Sequence, residues 1–417
     1  MQATISPSKI SGLLKIPASK SYMQRTVLAA MLSDEISEIE NPCYSDDSKN
    51  ILKLVENLGA EISKENNKIF IKGGINSVNN IINVGESGLA LRMIIPILSV
   101  FNKKFIVSAH GSLLKRPIDF VEIPLKQLGA KIEINNNPII VQGPIKGGKI
   151  EIDASVSSQF LSGLLFALPL LKEDSEIFVK KLKSKPYIDL TIEILEKFGI
   201  VIENEEYKHF KIKGNQKYIS QKIKIESDWS SAAFMMVAAA ISGKIELSGL
   251  NINSSQSDKQ IISVLKQAGA DIKIDNKSIK IKKSPLKTFS FDATHCPDLF
   301  PPLVVLALNC NGKSVIKGVE RLLHKESNRA NALINEFTRL GAKIEIRENE
   351  MIIYNSNLND GKVHSNNDHR IAMSLAIAAL NAGGDVIIEN SECVSKSYPQ
   401  FFEDLDGLCS IQKIVSN

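Results

Sequence analysis

I-P-L-K-Q-L-G-A-K-I-E-I, residues 123 to 134, reads as a helix that stops on a glycine and passes straight into a strand. Leu125 and Leu128 share a helical face, and Gly129 suits the left-handed residue that closes a helix. Lys131, Ile132, Glu133 and Ile134 then alternate, as a half-buried strand does. The same signature recurs as L-K-L-V-E-N-L-G-A-E-I (52 to 62), I-E-I-L-E-K-F-G-I-V-I (192 to 202), S-V-L-K-Q-A-G-A-D-I-K-I (263 to 274) and N-E-F-T-R-L-G-A-K-I-E-I (335 to 346). A weaker sixth copy is F-F-E-D-L-D-G-L (401 to 408). The marker glycines Gly59, Gly129, Gly199, Gly269, Gly341 and Gly407 are 70, 70, 70, 72 and 66 residues apart, so the chain is an internal repeat. Polar turns at 135 to 137 and 275 to 277 return the chain into a hairpin. A second helix, apolar nearly all round, accompanies most copies: 89 to 98, 160 to 171, 230 to 241, 301 to 308 and 371 to 380. Helices apolar on every side are interior. The expectation is an α/β protein of six repeats of about 70 residues, three per lobe, with helices inside, sheets around them and a break near 226 to 228.

Length and composition bound the function. The chain has 417 residues, 43% of them hydrophobic, enough for large cores in more than one domain. A net charge of +5, without long basic runs, argues against a nucleic-acid binder and suits small acidic substrates. Five cysteines, with no C-x-x-C spacing, point to a reducing cytoplasm, and no stretch has the roughly 18 apolar residues of a membrane span. Only eight cations are arginine (25, 92, 116, 321, 329, 339, 347 and 370) against 43 lysines. Where Lys serves as the default charge, a retained Arg is a candidate for bidentate recognition of carboxylate or phosphate.

P-A-S-K-S-Y-M-Q-R, 17 to 25, is the strongest anion-site candidate. Ser19 fits an N-cap, and Lys20 and Ser21 fall in the first helical turn, where backbone N–H groups point outward. Ser21 and Arg25, four residues apart, share a face with them. The interior helices also start on small or polar residues, at 85 to 88, 157 to 159, 227 to 231 and 367 to 370.

Seven pieces in order carry a family resemblance: P-A-S-K-S-Y-M-Q-R, K-R-P (115 to 117), S-V-S-S-Q-F-L (155 to 161), S-K-P-Y (184 to 187), K-E-S-N-R (325 to 329), N-D-H-R (367 to 370) and K-S-Y-P (396 to 399). Together they resemble 5-enolpyruvylshikimate-3-phosphate synthase, over nearly the whole chain. The resemblance implies transfer of a carboxyvinyl group from phosphoenolpyruvate to the 5-hydroxyl of shikimate 3-phosphate, with release of phosphate, on the route to chorismate and aromatic amino acids. It implies a two-lobed inside-out α/β barrel, with residues 19–226 as the N-terminal lobe and 1–18 plus 227–417 as the C-terminal lobe, closing over the substrates. A monomeric cytoplasmic enzyme without metal or organic cofactor, and a target of glyphosate, is implied as well.

Carried onto this sequence, the resemblance assigns shikimate 3-phosphate to Lys20, Ser21, Arg25, Ser157, Ser158, Gln159, Ser184, Tyr187, Asp298, Arg321 and Lys325. Phosphoenolpyruvate falls to Lys20, Gly88, Arg116, Gln159, Arg329, Arg370 and Lys396. Asp298 is implied as the base for the attacking hydroxyl, Glu326 as the acid for the methylene carbon, and Lys20 as an aid to the leaving phosphate. Ser157, Ser158 and Asp298 also read as plain helix caps, and His369 as a residue that orients its neighbours. The family usually has Asn-x-Gly-Thr where this chain has Glu86-Ser87-Gly88-Leu89, which brings a negative charge and loses a hydroxyl on the loop expected to face phosphate. Gln24 and Asn328 replace the usual Asn and Asp. The sister enzyme acting on UDP-N-acetylglucosamine carries a cysteine in the loop near 110 to 116; this chain has none there. A non-catalytic anion-binding homologue is the other alternative, disfavoured by retention of Lys20, Asp298, Glu326 and Lys396 together.

Overall fold

The computed structural model describes residues 1–75, 79–135, 137–275, 277–410 and 414–416. The expected turns at Asn136 and Asn276 lie outside the described residues. The described residues form six four-stranded sheets, and one shows the common plan. Lys149–Asp153 and Ser175–Lys180 run parallel, with Ile150 opposite Ile177, and the buried helix Gln159–Ala167 joins them. The amphipathic helix Lys185–Lys197 follows, then the hairpin Ile202–Glu205 and His209–Ile212, which adds antiparallel to Ser175–Lys180. Ile150 and Ile152 point inward and their charged neighbours outward, so strand period and core face agree.

Five of the six marker glycines end their helices as the repeat requires. Gly59, Gly129, Gly199, Gly269 and Gly341 have φ between +78° and +112°. At Gly129 the amide donates to Lys126 O, and the amide of Ala130 donates back to Leu125 O at 3.0 Å, the paired bonds that satisfy a helix's last carbonyls. Gly407 is a correction: it lies inside the helix Phe401–Leu408, and Cys409 caps that helix. The physical reason is the connection that follows. The sixth sheet has no local hairpin to turn into; its inner strand is Gln2–Ile5, paired with Val386–Glu389 on one side and Ile414–Ser416 on the other.

The chain divides into two compact units, Ala18–Ile225 and Met1–Pro17 with Glu226–Asn417. Each has three sheets and its own apolar core. Each also borrows a parallel edge strand from far along the chain: Lys222–Lys224 beside Ile36–Glu40 in the first, Ile10–Lys15 beside Gly243–Ser248 in the second. The interior helices are Lys20–Met31, Gly88–Ser99 and Gln159–Ala167 in the first unit, and Trp229–Ser242, Phe300–Leu308 and His369–Ala379 in the second. Among the described residues, no helix is long and apolar enough to cross a membrane.

Candidate active site

In the unit Ala18–Ile225, Ser19 caps the helix Lys20–Met31 by accepting from the Tyr22 amide at 3.4 Å. Gln24, one turn on, ties three helix starts together. Its amide donates at 3.0 Å to Asp47 O, in the first turn of Asp46–Asn57, and at 3.0 Å to Ser87 Oγ, the cap of Gly88–Ser99. Lys20 Nζ lies 3.0 Å from Asp47 Oδ2, with both side chains largely covered. The three N-termini are thereby held in one cluster with their partial positive charge.

Arg25 is fully buried beneath that cluster. Its guanidinium donates to Thr191 Oγ1 at 2.9 Å, Ser21 O at 2.9 Å and Tyr187 O at 3.5 Å, and it stands 5.9 Å from the Tyr187 ring centre. Burial pulls its pKa down to about 10, partly offset by Tyr187. All its acceptors are neutral oxygens, so the positive charge stays uncompensated by any carboxylate it bonds. Ser184, just before the helix Lys185–Lys197, is held at φ +59°, a conformation a serine adopts only when its surroundings impose it.

A second group surrounds Gly88. Arg92 donates to Gln159 Oε1 at 2.9 Å and to Pro117 O at 3.1 Å, and lies over the Phe120 ring. Ser157 Oγ accepts from the Gln159 amide at 3.1 Å, acting as the cap foreseen for it, whereas Ser158 makes no capping bond through its side chain. A Cβ placed on Gly88 would come within 2.9 Å of one Arg116 nitrogen and 3.3 Å of one Arg92 nitrogen. Glycine at 88 therefore lets two guanidinium groups close on the start of a helix, a strong anion site. Leu89 is buried in the core rather than turned to the loop surface.

The other unit contains a charge network of opposite style. Asp298, in the short turn Pro297–Leu299 before the helix Phe300–Leu308, accepts from Lys325 Nζ at 3.2 Å and Arg329 at 2.9 Å through Oδ1, and from Arg370 at 3.1 Å through Oδ2. Arg329, fully buried, also bonds Glu326 Oε2 at 2.5 Å and Asp368 at 2.9 and 3.1 Å. Asp368 in turn caps the helix His369–Ala379 by accepting from the Arg370 amide at 3.0 Å, and accepts Ser327 Oγ at 3.2 Å. Three carboxylates thus interlace with three cations, and desolvation is offset by pairing.

The consequence for protonation is clear at Asp298. Burial would raise its pKa, but Arg370, Lys325 and Arg329 outweigh that and hold it well below the usual carboxylate range. Burial pulls Lys325 down, despite Asp298. Arg321 is lowered too, by burial first, and feels Asp298. Close by, Asp258 is pushed up to about 6, by burial and then by the negative charge of Asp298. Lys396 is buried at the end of the turn Ser391–Lys396, which packs on the helix His369–Ala379.

The chain as a whole matches a known family. Residues 5–405 fit the family model of EPSP synthase (3-phosphoshikimate 1-carboxyvinyltransferase). The chain belongs to the EPSP synthase family. It is 40% identical over 422 residues to the 3-phosphoshikimate 1-carboxyvinyltransferase of Clostridium novyi, covering 98% of this chain and 97% of that one. With the Clostridium acetobutylicum enzyme of the same name it shares 42% over 414 residues, covering 97% and 96%. EPSP synthase from Acinetobacter baumannii superposes with a TM-score of 0.85 at 26% identity over the whole of both chains. The enolpyruvyl transferase NikO from Streptomyces tendae has a TM-score of 0.82 at 15% identity, covering 100% of this chain and 99% of that one, a likeness of fold. The six sheets around interior helices are the EPSP synthase inside-out α/β barrel fold, and the activity is 3-phosphoshikimate carboxyvinyl transfer.

In the unit Ala18–Ile225 the structure brings the motif residues into three clusters: Lys20 at the three helix starts; Arg25 with Ser21, Tyr187 and Thr191; and Gly88 with Arg116, Arg92, Gln159 and Ser157. The network of Asp298, Lys325, Glu326, Arg329 and Arg370 is separate in sequence and belongs to the other unit. Sequence reasoning missed Gln24, Asp47, Arg92, Asp258 and Asp368 as site groups. Arg92 had a usable signal in the scarcity of arginine, and Asp368 in the N-D-H-R motif. Gln24 had been noted only as a departure.

Proposed function

We propose that carboxyvinyl transfer from phosphoenolpyruvate to shikimate 3-phosphate proceeds by addition and elimination, with the chemistry divided between cation clusters that bind and a carboxylate network that moves protons. Shikimate 3-phosphate is held by Lys20, Ser21, Arg25, Ser157, Ser158, Gln159, Ser184, Tyr187, Arg321 and Lys325. Phosphoenolpyruvate is held by Lys20, Gly88, Arg116, Gln159, Arg329, Arg370 and Lys396. Each substrate carries a phosphate and a carboxylate, and the arginines supply the bidentate donors these require.

One observation carries the mechanism: Asp298 is bonded to Lys325, Arg329 and Arg370, the very cations assigned to substrate. So paired, it is a weak base. Anions arriving at Arg329 and Arg370 compete for the same N–H groups, weaken the grip on Asp298 and raise its proton affinity. Asp298 then takes the 5-hydroxyl proton while the oxygen bonds to C2 of phosphoenolpyruvate. Glu326 gains a proton from solvent as its hold by Arg329 loosens, and delivers it to C3. A proton of the resulting methyl group then returns to Glu326 as the C2–O bond to phosphate breaks, giving the enolpyruvyl ether; the departing phosphate takes up the proton held by Asp298, with Lys20 neutralising its charge.

Asp298→Ala is expected to lower kcat at least about a hundredfold while phosphoenolpyruvate binds as tightly as before or tighter, since the cations lose a competitor. Wild-type turnover would remove Asp298 from the reaction. Phosphate release with shikimate 3-phosphate, and none with UDP-N-acetylglucosamine, tests the acceptor. The enzyme is proposed to work in the cytoplasm as a monomer with no metal; specific activity unchanged by chelator and by tenfold dilution tests the last two points.

A further inference from the structure

The acidic residue at position 86 was expected to stand against the phosphate of phosphoenolpyruvate. Its side chain is engaged elsewhere. Glu86 follows Gly85, held at φ +63°, on the short link between the strand Ile81–Asn83 and the helix Gly88–Ser99. Glu86 Oε2 accepts from the Ser112 amide at 3.3 Å and from Ser112 Oγ at 3.1 Å. The carboxylate lies flat against Gly111, where a Cβ would come within 2.0 Å of Oε1 and 2.3 Å of Cδ. Next to it, the His110 amide donates to Gly85 O at 3.1 Å, so the two loops are laced by backbone as well.

The segment so fastened is the turn Gly111–Lys115, whose own preceding residue, His110, provides no capping bond through its side chain. Glu86 supplies the missing cap from another part of the chain. Arg116 comes immediately after, its amide bonded to Leu113 O at 3.1 Å, and Leu113 is buried beneath Gly88. Behind it, Arg92 holds Pro117 O at 3.1 Å. Arg116 is therefore carried on a short piece of chain fixed at the front by Glu86 and at the back by Arg92. Its guanidinium stands so close to Gly88 that a Cβ there would come within 2.9 Å of one of its nitrogens, and a shift of the front anchor displaces the backbone from which that side chain reaches.

We propose that Glu86 is a positioning residue: its carboxylate caps the turn 111–115 and so sets the reach of Arg116 toward phosphoenolpyruvate. The inference rests on the assignment of Arg116 to that substrate. One hydrogen bond to a charged group is worth roughly tenfold or more, and only part of what the two bonds hold is felt at Arg116, so about a tenfold change is expected there when both are lost. Glu86→Ala should accordingly raise KM for phosphoenolpyruvate about tenfold, with kcat and KM for shikimate 3-phosphate within about twofold. Glu86→Gln keeps an oxygen that accepts both donors and should stay within about twofold of wild type. Ser112→Ala, which keeps the amide donor, should fall between them and also serves should Glu86→Ala fold poorly. In an Arg116→Ala background, itself raising KM for phosphoenolpyruvate strongly, Glu86→Ala should add nothing further.

A Glu86→Ala enzyme with unchanged or lower KM for phosphoenolpyruvate would overturn the proposal, the lower value showing a charge that merely repels the substrate. Equal damage from Glu86→Gln and Glu86→Ala would also overturn it, because hydrogen bonding would not be the agent. If Arg116→Ala leaves KM for phosphoenolpyruvate unchanged, the substrate assignment falls and the proposal with it; if only the Glu86 variants are silent, the assignment stands.

Discussion

Asp368→Asn is the sharpest single probe of the carboxylate network. Asp368 has no exposed surface, and it accepts two bonds from Arg329, one from Ser327 and one from the Arg370 amide. The substitution preserves shape and, because Asn is as good a cap as Asp, leaves the start of the helix His369–Ala379 served. What it removes is one charge, and it turns an N–H2 toward a guanidinium that cannot accept. Deleting one partner of a buried pair costs about 3–5 kcal/mol; Arg329 retains Glu326 and Asp298, so the low end, about 3 kcal/mol, applies. In a unit of roughly 200 residues about 1 kcal/mol moves Tm by about 2–4 °C, so the transition of this unit should fall by about 6–12 °C. Calorimetry of the variant and wild type at pH 7.5 or so reads this directly. With Arg329 loosened, KM for phosphoenolpyruvate should rise in the same protein. A melting point within about 2 °C of wild type would show that the Asp368–Arg329 pair carries little net stability and would refute the reasoning.

Three further outcomes are expected. Asp258 titrates near 6 in the folded chain, above its ordinary value, so the folded state favours its proton and stability drains away as pH rises from about 4 through 6. Asp258→Asn, which never ionises, should thus exceed wild type in stability above pH 6 or so, on the order of 2 kcal/mol, with the gap closing below about pH 4; a gap that does not change with pH would contradict this. Arg25→Lys cannot reproduce the fork that reaches Thr191, Ser21 and Tyr187, and should cost about 2 kcal/mol in denaturant unfolding together with a higher KM for shikimate 3-phosphate. Gly88→Ala sets a methyl against the Arg116 and Arg92 guanidinium groups; those flexible ends give way, so Tm should hold within about 2 °C while KM for phosphoenolpyruvate increases, and unaltered kinetics would show that the guanidinium positions are unimportant.

The repeat was legible because it is written in local chemistry. A glycine at the end of an apolar-faced helix, followed by alternation, needs no knowledge of distant residues. Gly407 misled because the strand that pairs with Ile414–Ser416 after it is Gln2–Ile5, from the opposite end of the chain, a long-range fact without a local mark. The motif cations were likewise recognisable by type. Their partners were not: that Gln24 reaches both Asp47 and Ser87, or that Glu86 turns to Ser112, depends on how loops far apart in sequence are brought edge to edge. The pairing of Asp298 with three cations was hidden for the same reason, since sequence names the charges and leaves their distances open.

The strand exchange at the N-terminus bears on the order in which the protein can be made. Every strand of the unit Ala18–Ile225 has left the ribosome once that stretch is synthesised, so it can fold while translation continues. The strands on its N-terminal side cannot join it; Gln2–Ile5 and Ile10–Lys15 must wait for Gly243–Ser248, Val386–Glu389 and finally Ile414–Ser416. Strands made before the first unit are thus paired only after it, and a message cut short downstream of that unit would release a folded body trailing two orphaned stretches of β-strand sequence.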